Sequence, residues 1–153
     1  MPYVQWLGLS FQLIAPGQVE FVMPLRPAIT FDGKAVQAGP IGALLDFSGG
    51  AGAFTLAPAG VMLATIDFSV KLLAPAIGRR FVGRGQVISA GKSLMVTRAD
   101  AFAFGERGEV HVATGLVTMR VVTQGNARPR RRLRKHLSWF VLPDTAHRSG
   151  LPE

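Results

Sequence analysis

The sequence predicts an α+β domain, an antiparallel sheet with one long helix on a single face. Three observations carry that expectation. Val36 to Phe54 is a run of small and apolar residues long enough for one enclosed helix. From Thr65 the period changes to two, with Ile66, Phe68, Val70 and Leu72 alternating with Thr65, Asp67, Ser69 and Lys71. Turn signals then recur at short intervals, and tight turns between consecutive strands imply an antiparallel meander.

In chain order, Gly8 to Ile14 and Val19 to Leu25 read as two short strands joined by the turn Ala15-Pro16-Gly17-Gln18. A loop from Arg26 to Gln37 holds Pro27 and Asp32-Gly33. The helix is expected from about Pro40 to Leu56. Proline suits a first helical turn, where its missing N–H would be unpaired anyway, and Ala57-Pro58-Ala59-Gly60 stops the helix. The period-two segment is a half-buried strand ending at the turn Ala74-Pro75-Ala76-Ile77-Gly78. Further strands follow at Phe81 to Ser89, Ser93 to Phe104 and Glu109 to Val122, separated by Ala90-Gly91-Lys92 and Gly105-Glu106-Arg107-Gly108. Two strands, one helix and four strands make up a single domain, residues 1–125. Residues 126–153 shift to Arg and Pro and read as a basic C-terminal extension.

Composition narrows the class. Of 153 residues, 48% are hydrophobic and 17% charged, which suits a globular body with a sizeable core. The absence of cysteine excludes a disulfide scaffold and any thiolate chemistry, and it fits a cytoplasmic protein. No signal-like start and no uncharged stretch long enough for a bilayer are present, so membrane insertion is not expected. The net charge of +8 is uneven: the extension carries seven Lys/Arg against two acids, leaving the domain at +3. A high global charge concentrated in this way is no argument for nucleic-acid binding by the domain.

Asp46 is the residue that needs explaining. A lone carboxylate in an apolar helix is costly to bury without partners or a role. As a structural acid it would bond backbone or Ser48; as a functional one it would act as a base or nucleophile. The three histidines, His111, His136 and His147, have no metal-ligand spacing, and no G-x-S-x-G elbow is present. Neither a metal nor a cofactor is expected.

The order of elements, the apolar helix with its central acid, and the turn Gly91-Lys92-Ser93 resemble the hotdog-fold acyl-CoA thioesterases of the PaaI-like branch. The family motif is His-Gly-Gly, four variable residues, Leu, one residue and Asp. Here the matching positions read Gln37-Ala38-Gly39, Pro40 to Ala43, and Leu44-Leu45-Asp46. The second Gly, the Leu and the Asp match; Gln37 stands in the place of the His and Ala38 in that of the first Gly. Ala64 to Val70 and the turn Leu73 to Gly78 also resemble family segments, so the likeness spans roughly residues 5 to 122. It implies a sheet wrapped around the central helix and subunits paired edge to edge, as a homodimer or a dimer of dimers.

The resemblance further implies hydrolysis of an acyl-CoA thioester, coenzyme A being part of the substrate. Asp46 would be the base or nucleophile, Gly39 an oxyanion donor at the helix N-terminus, and Gln37 an auxiliary polar contact unable to transfer a proton. Lys92 and Ser93 would lie near the coenzyme phosphates. Leu45, Phe47, Phe54 and Met62 are expected along an apolar pocket suited to an aryl or medium-chain acyl group. Seven residues on one helix separate Gly39 from Asp46 by about 10 Å. One thioester carbon therefore reaches both only if they come from two antiparallel helices across a dimer. Two other readings stay open. One is an acyl-CoA-binding protein without turnover, with Gln37 marking lost chemistry. The other is an interaction module using the tail Arg128 to Lys135.

Overall fold

The computed structural model describes residues 1–106 and 108–123. The extension from 126 onward, with its basic run, His136 and His147, lies outside the described residues, as does the domain boundary at 125. The elements are α1 (Pro2–Leu7), β1 (Ser10–Ala15), β2 (Gln18–Pro24), a 3-10 turn (Pro27–Ile29), α2 (Ala38–Phe54), β3 (Val61–Leu72), β4 (Arg80–Ala90), β5 (Leu94–Gly105) and β6 (Gly108–Thr123). The six strands form one sheet in the order β1-β2-β4-β5-β6-β3, every neighbouring pair antiparallel. The long crossover through α2 therefore carries the chain from β2 to the far edge, and α2 packs against β2, β3, β4, β5 and β6.

The sheet presses directly on the helix backbone, which explains a helix with five glycines. A Cβ at Gly49 would meet Thr97 Oγ1 at 2.6 Å and Val117 Cγ2 at 2.8 Å. From the sheet side, one at Gly83 would meet Leu44 Cγ at 2.7 Å. Each helical glycine costs about 0.5–1 kcal/mol against alanine, offset here by burial of Ile41, Leu44, Leu45 and Ala53 with Phe81, Met95, Val117 and Met119.

Three expectations change. The helix begins two residues before Pro40 and ends at Phe54, because Gln37 is its extended N-cap. A second helix, α1, precedes the first strand. Pro2 starts it, Leu7 anchors it in the core, and Gly8, at φ +70°, ends it in the left-handed conformation open to glycine. Lastly, β3 does not alternate without interruption. A bulge between Thr65 and Asp67 shifts its register against β6, so Thr65 faces the helix together with Phe68 and Val70.

Candidate active site

Asp46 lies midway along α2, on the flank that faces β3. β3 is the terminal strand of the sheet and pairs only with β6 among the described residues. The carboxylate is half-buried, and its Oδ1 accepts a hydrogen bond of 2.9 Å from the Thr65 hydroxyl. That hydroxyl has one proton to give, and the charged oxygen is a stronger acceptor than Met119 Sδ, 3.1 Å away. Burial pushes the Asp46 carboxyl above its ordinary range, and the Thr65 hydroxyl opposes that rise without cancelling it. Ser48 turns back into the helix and donates to Leu44 O at 2.7 Å, leaving Thr65 as the side-chain partner of Asp46. A base whose proton affinity is raised in this way, with one orienting donor, suits activation of a water molecule near neutral pH.

The helix N-terminus is open. Gln37 caps it through backbone geometry alone, with no side-chain cap, and nothing lies within 4 Å of where a Gly39 Cβ would point. The amides of the first turn are the ones a helix leaves unpaired, and Pro40 contributes none. Gln37 is held by the preceding loop. Its backbone N–H donates to Ile29 O at 2.9 Å and its side-chain amide to Thr30 O at 3.1 Å. The structure thus groups Gln37 and Gly39 at one end of the helix and Asp46 with Thr65 at its middle.

The remaining sequence candidates separate. Leu45 is only 1% exposed and belongs to the core, because its turn of the helix points at the sheet, so it lines no surface. Phe47 and Phe54 lie on the outward side of α2, and Met62 is exposed on β3 three residues before Thr65. Lys92 and Ser93 are exposed on the β4–β5 turn. Ser93 O accepts from Val121 N at 2.9 Å, which sets that turn at the end of the sheet where β3 begins. His111 sits on the outer sheet face, stacked on Phe102 and 3.1 Å from Asp100 Oδ1, away from α2. No group of three or more His, Cys, Asp or Glu placed to hold a metal occurs among the described residues. No helix among them is long and apolar enough to cross a membrane.

Sequence reasoning missed Thr65. A bulge leaves no periodic signal, so Thr65 read as facing away from the helix. It also missed Tyr3 and Trp6 of α1, although Pro2, the spacing Tyr3-Trp6-Leu7 and Gly8 were all legible as helix signals.

Residues 36–110, which include α2, β3 and β4, match the family model of the thioesterase superfamily. No curated protein matches the chain significantly. Among solved structures, a thioesterase family protein from Silicibacter pomeroyi is 34% identical, with a TM-score of 0.78 over 80% of this chain and 90% of that one. A Shewanella oneidensis protein related to the thioesterase superfamily is 27% identical, with a TM-score of 0.69 over 80% and 88%. A phenylacetic acid degradation-related protein from Ralstonia eutropha shares the fold at 21% identity, with a TM-score of 0.70 over 78% and 89%. With the helix-wrapping antiparallel sheet and the helical carboxylate already in view, these matches identify the chain as a hotdog-fold member of the thioesterase superfamily.

Proposed function

We propose that the protein is an acyl-CoA thioesterase of the PaaI-like kind, acting in the cytoplasm on aryl- or medium-chain acyl-CoA. The observation that carries this reading is the half-buried Asp46, the one charge of α2, lying beside β3, the terminal strand among the described residues, with Thr65 as its partner. Membership of the superfamily supports thioester hydrolysis as the chemistry. Asp46 would draw the proton from the attacking water, or attack the carbonyl itself, and amides at a helix N-terminus would receive the developing oxyanion.

A dimer supplies both halves. Among the described residues β3 pairs on one side only and presents exposed Ile66, Phe68 and Leu72, an edge of the kind that pairs with a further strand. Pairing two β3 edges would bring two α2 helices alongside each other. Asp46 would then work with Gly39 of the partner subunit, some 10 Å from its own Gly39 along the helix. Gln37 would hold the thioester or its water, and Lys92 and Ser93 would meet coenzyme phosphates. A dimer of two such dimers is compatible with the same edge contact.

The test is thiol release from a panel of aryl- and alkyl-CoA substrates by wild type and Asp46→Asn. Loss of at least about a hundredfold in kcat is expected, since a positioned base contributes about 10²–10⁴. Turnover by the variant at the wild-type rate would overturn the assignment of Asp46. Binding of acyl-CoA without turnover by wild type would favour a non-catalytic carrier, with Gln37 in the histidine place as its mark.

A further inference from the structure

Strand β4 runs on past the strand that flanks it. Its neighbour β2 begins at Gln18, opposite Gln86, and the last backbone bond on that side is Val87 N–H to Gly17 O at 2.8 Å. Ile88, Ser89 and Ala90 continue the strand. Ser89 and Ala90 pair with Val96 and Met95 of β5, and on the other side, among the described residues, no strand pairs with them. A strand edge of this kind accepts a further strand. A recess of about 310 Å³ lies along it, bordered by the Pro16–Gly17 turn, Val87, and Leu56 just beyond α2. Leu56 and Ile88 are exposed there, so the open edge is apolar as well as unpaired.

The chain also holds a strand-like run beyond the described residues. Leu137, Ser138, Trp139, Phe140, Val141 and Leu142 carry no charge, are rich in β-forming types and are followed by Pro143, which suits a strand end. The run stands out in an extension otherwise rich in Arg. Left exposed, six such residues invite aggregation. In an extended segment side chains alternate, so Leu137, Trp139 and Val141 would form a wholly apolar row while the other row includes Ser138.

The ends of the strands bring the two features within reach. β4 and β6 are each antiparallel to β5 and flank it, so both finish at the same end of the sheet, β6 at Thr123. The position beside Ile88 to Ala90 is in line with β2, three strand spacings or about 14 Å from β6. Thirteen residues, 124–136, lead from Thr123 to the run and span up to about 40 Å. The outer edge of β1 lies two spacings farther away.

We infer that residues 137–142 add a short strand to the open edge of β4 at Ile88 to Ala90, with the Leu137, Trp139 and Val141 row seated on Leu56 and Val87 in the recess. The contact lies within one chain and is independent of the thioester chemistry. β4 bulges against β5 between Val87 and Ser89, so the stretch on offer is short and the ladder bonds are few. Burial of Trp139 and its row adds what those bonds do not supply. No charged side chain lines the recess and none occurs in the run, so neither side loses ionic hydration when they meet.

Hydrogen exchange on the full-length chain reads the edge directly. The edge-facing amides of Ile88 to Ala90 are expected to be protected in wild type and to exchange about tenfold faster in Trp139→Asp/Phe140→Asp, with β1 unchanged. Equal exchange in the two proteins would overturn the inference, as would a loss of protection confined to β1 or spread evenly through the sheet. Fluorescence gives a second readout, because Trp6→Phe leaves Trp139 as the sole indole. Its emission is expected to the blue of the same chain carrying Ile88→Asp, a charge placed on an exposed position of the open edge. Identical emission from the two would overturn the docking. A blue shift that disappears on dilution would put the run on a second copy and overturn the contact within one chain.

Discussion

Replacing Gly85 with alanine probes the packing that holds Asp46 in place. Gly85 lies in β4 under the centre of α2, with no positive φ, so alanine there meets a steric obstacle and not a conformational one. Its Cβ would run into the Ser48 carbonyl and stand 2.8 Å from the Gly49 amide nitrogen. Both are helix backbone, so no rotamer change relieves the contact. Carbon contacts settle near about 3.5 Å, so β4 and α2 must part by the order of 1 Å. Overpacking costs about 1–3 kcal/mol, and rigid backbone on the receiving side argues for the upper end. At roughly 3–4 °C per kcal/mol for a domain of this size, a loss of about 3 kcal/mol lowers Tm by about 10 °C. Asp46 is two residues from Ser48 and would move with it. A misplacement of about 1 Å costs on the order of a hundredfold in rate. Thermal unfolding followed by circular dichroism, together with thiol release, measures both. A Tm within about 2 °C of wild type would refute the argument that this glycine sets the helix-to-sheet distance.

Gly39→Ala is the contrasting variant. Nothing lies within 4 Å of its Cβ, so stability should hold or rise by up to about 1 kcal/mol, while a methyl beside the first-turn amides should lower turnover. Urea unfolding and steady-state kinetics separate the two effects, and unchanged turnover would remove Gly39 from the site. Burial raises the Asp46 carboxyl, so the folded state holds this proton more tightly than the unfolded chain does. The contribution of Asp46 to stability is therefore best at low pH and declines as pH rises from the ordinary carboxylate value through the raised one. Asp46→Asn should accordingly raise Tm at neutral pH, with the gain shrinking toward about pH 4. A gain constant across pH would contradict the burial argument. Thr65→Val, which removes the opposing hydroxyl, should move the acid limb of the kcat/KM profile further toward neutral pH, and an unmoved limb would dismiss Thr65 as a partner. Leu45→Ala should cost about 2–5 kcal/mol in chemical denaturation, as for a core leucine. A small stability loss with a changed acyl preference would return Leu45 to the pocket.

Much of the architecture was legible in the sequence because local patterns determine it. The apolar run with Asp46 marked the helix, and the turns at Gly91-Lys92 and after Gly105 marked the meander, since turn chemistry and periodicity act over a few residues. The element order carried the family resemblance, and Asp46 stood out because a charge in such a helix has few reasons to exist. What the patterns did not carry depends on distant contacts. The bulge after Thr65 inverts which side chains face the helix, and only pairing with β6 reveals it. Leu45 and Phe47 are both apolar and near Asp46, yet the direction of the sheet buries one and leaves the other beside Tyr3.

The sequence by itself determined the α+β class, one enclosed helix and the identity of its lone acid, because composition and period are properties of the chain alone. Only the tertiary structure decided that the acid faces β3, that Thr65 is its partner, and that Tyr3 of α1 meets the neighbouring Phe47. Those are contacts between residues far apart in the chain, fixed when the sheet closes around the helix and burial selects one face of each element.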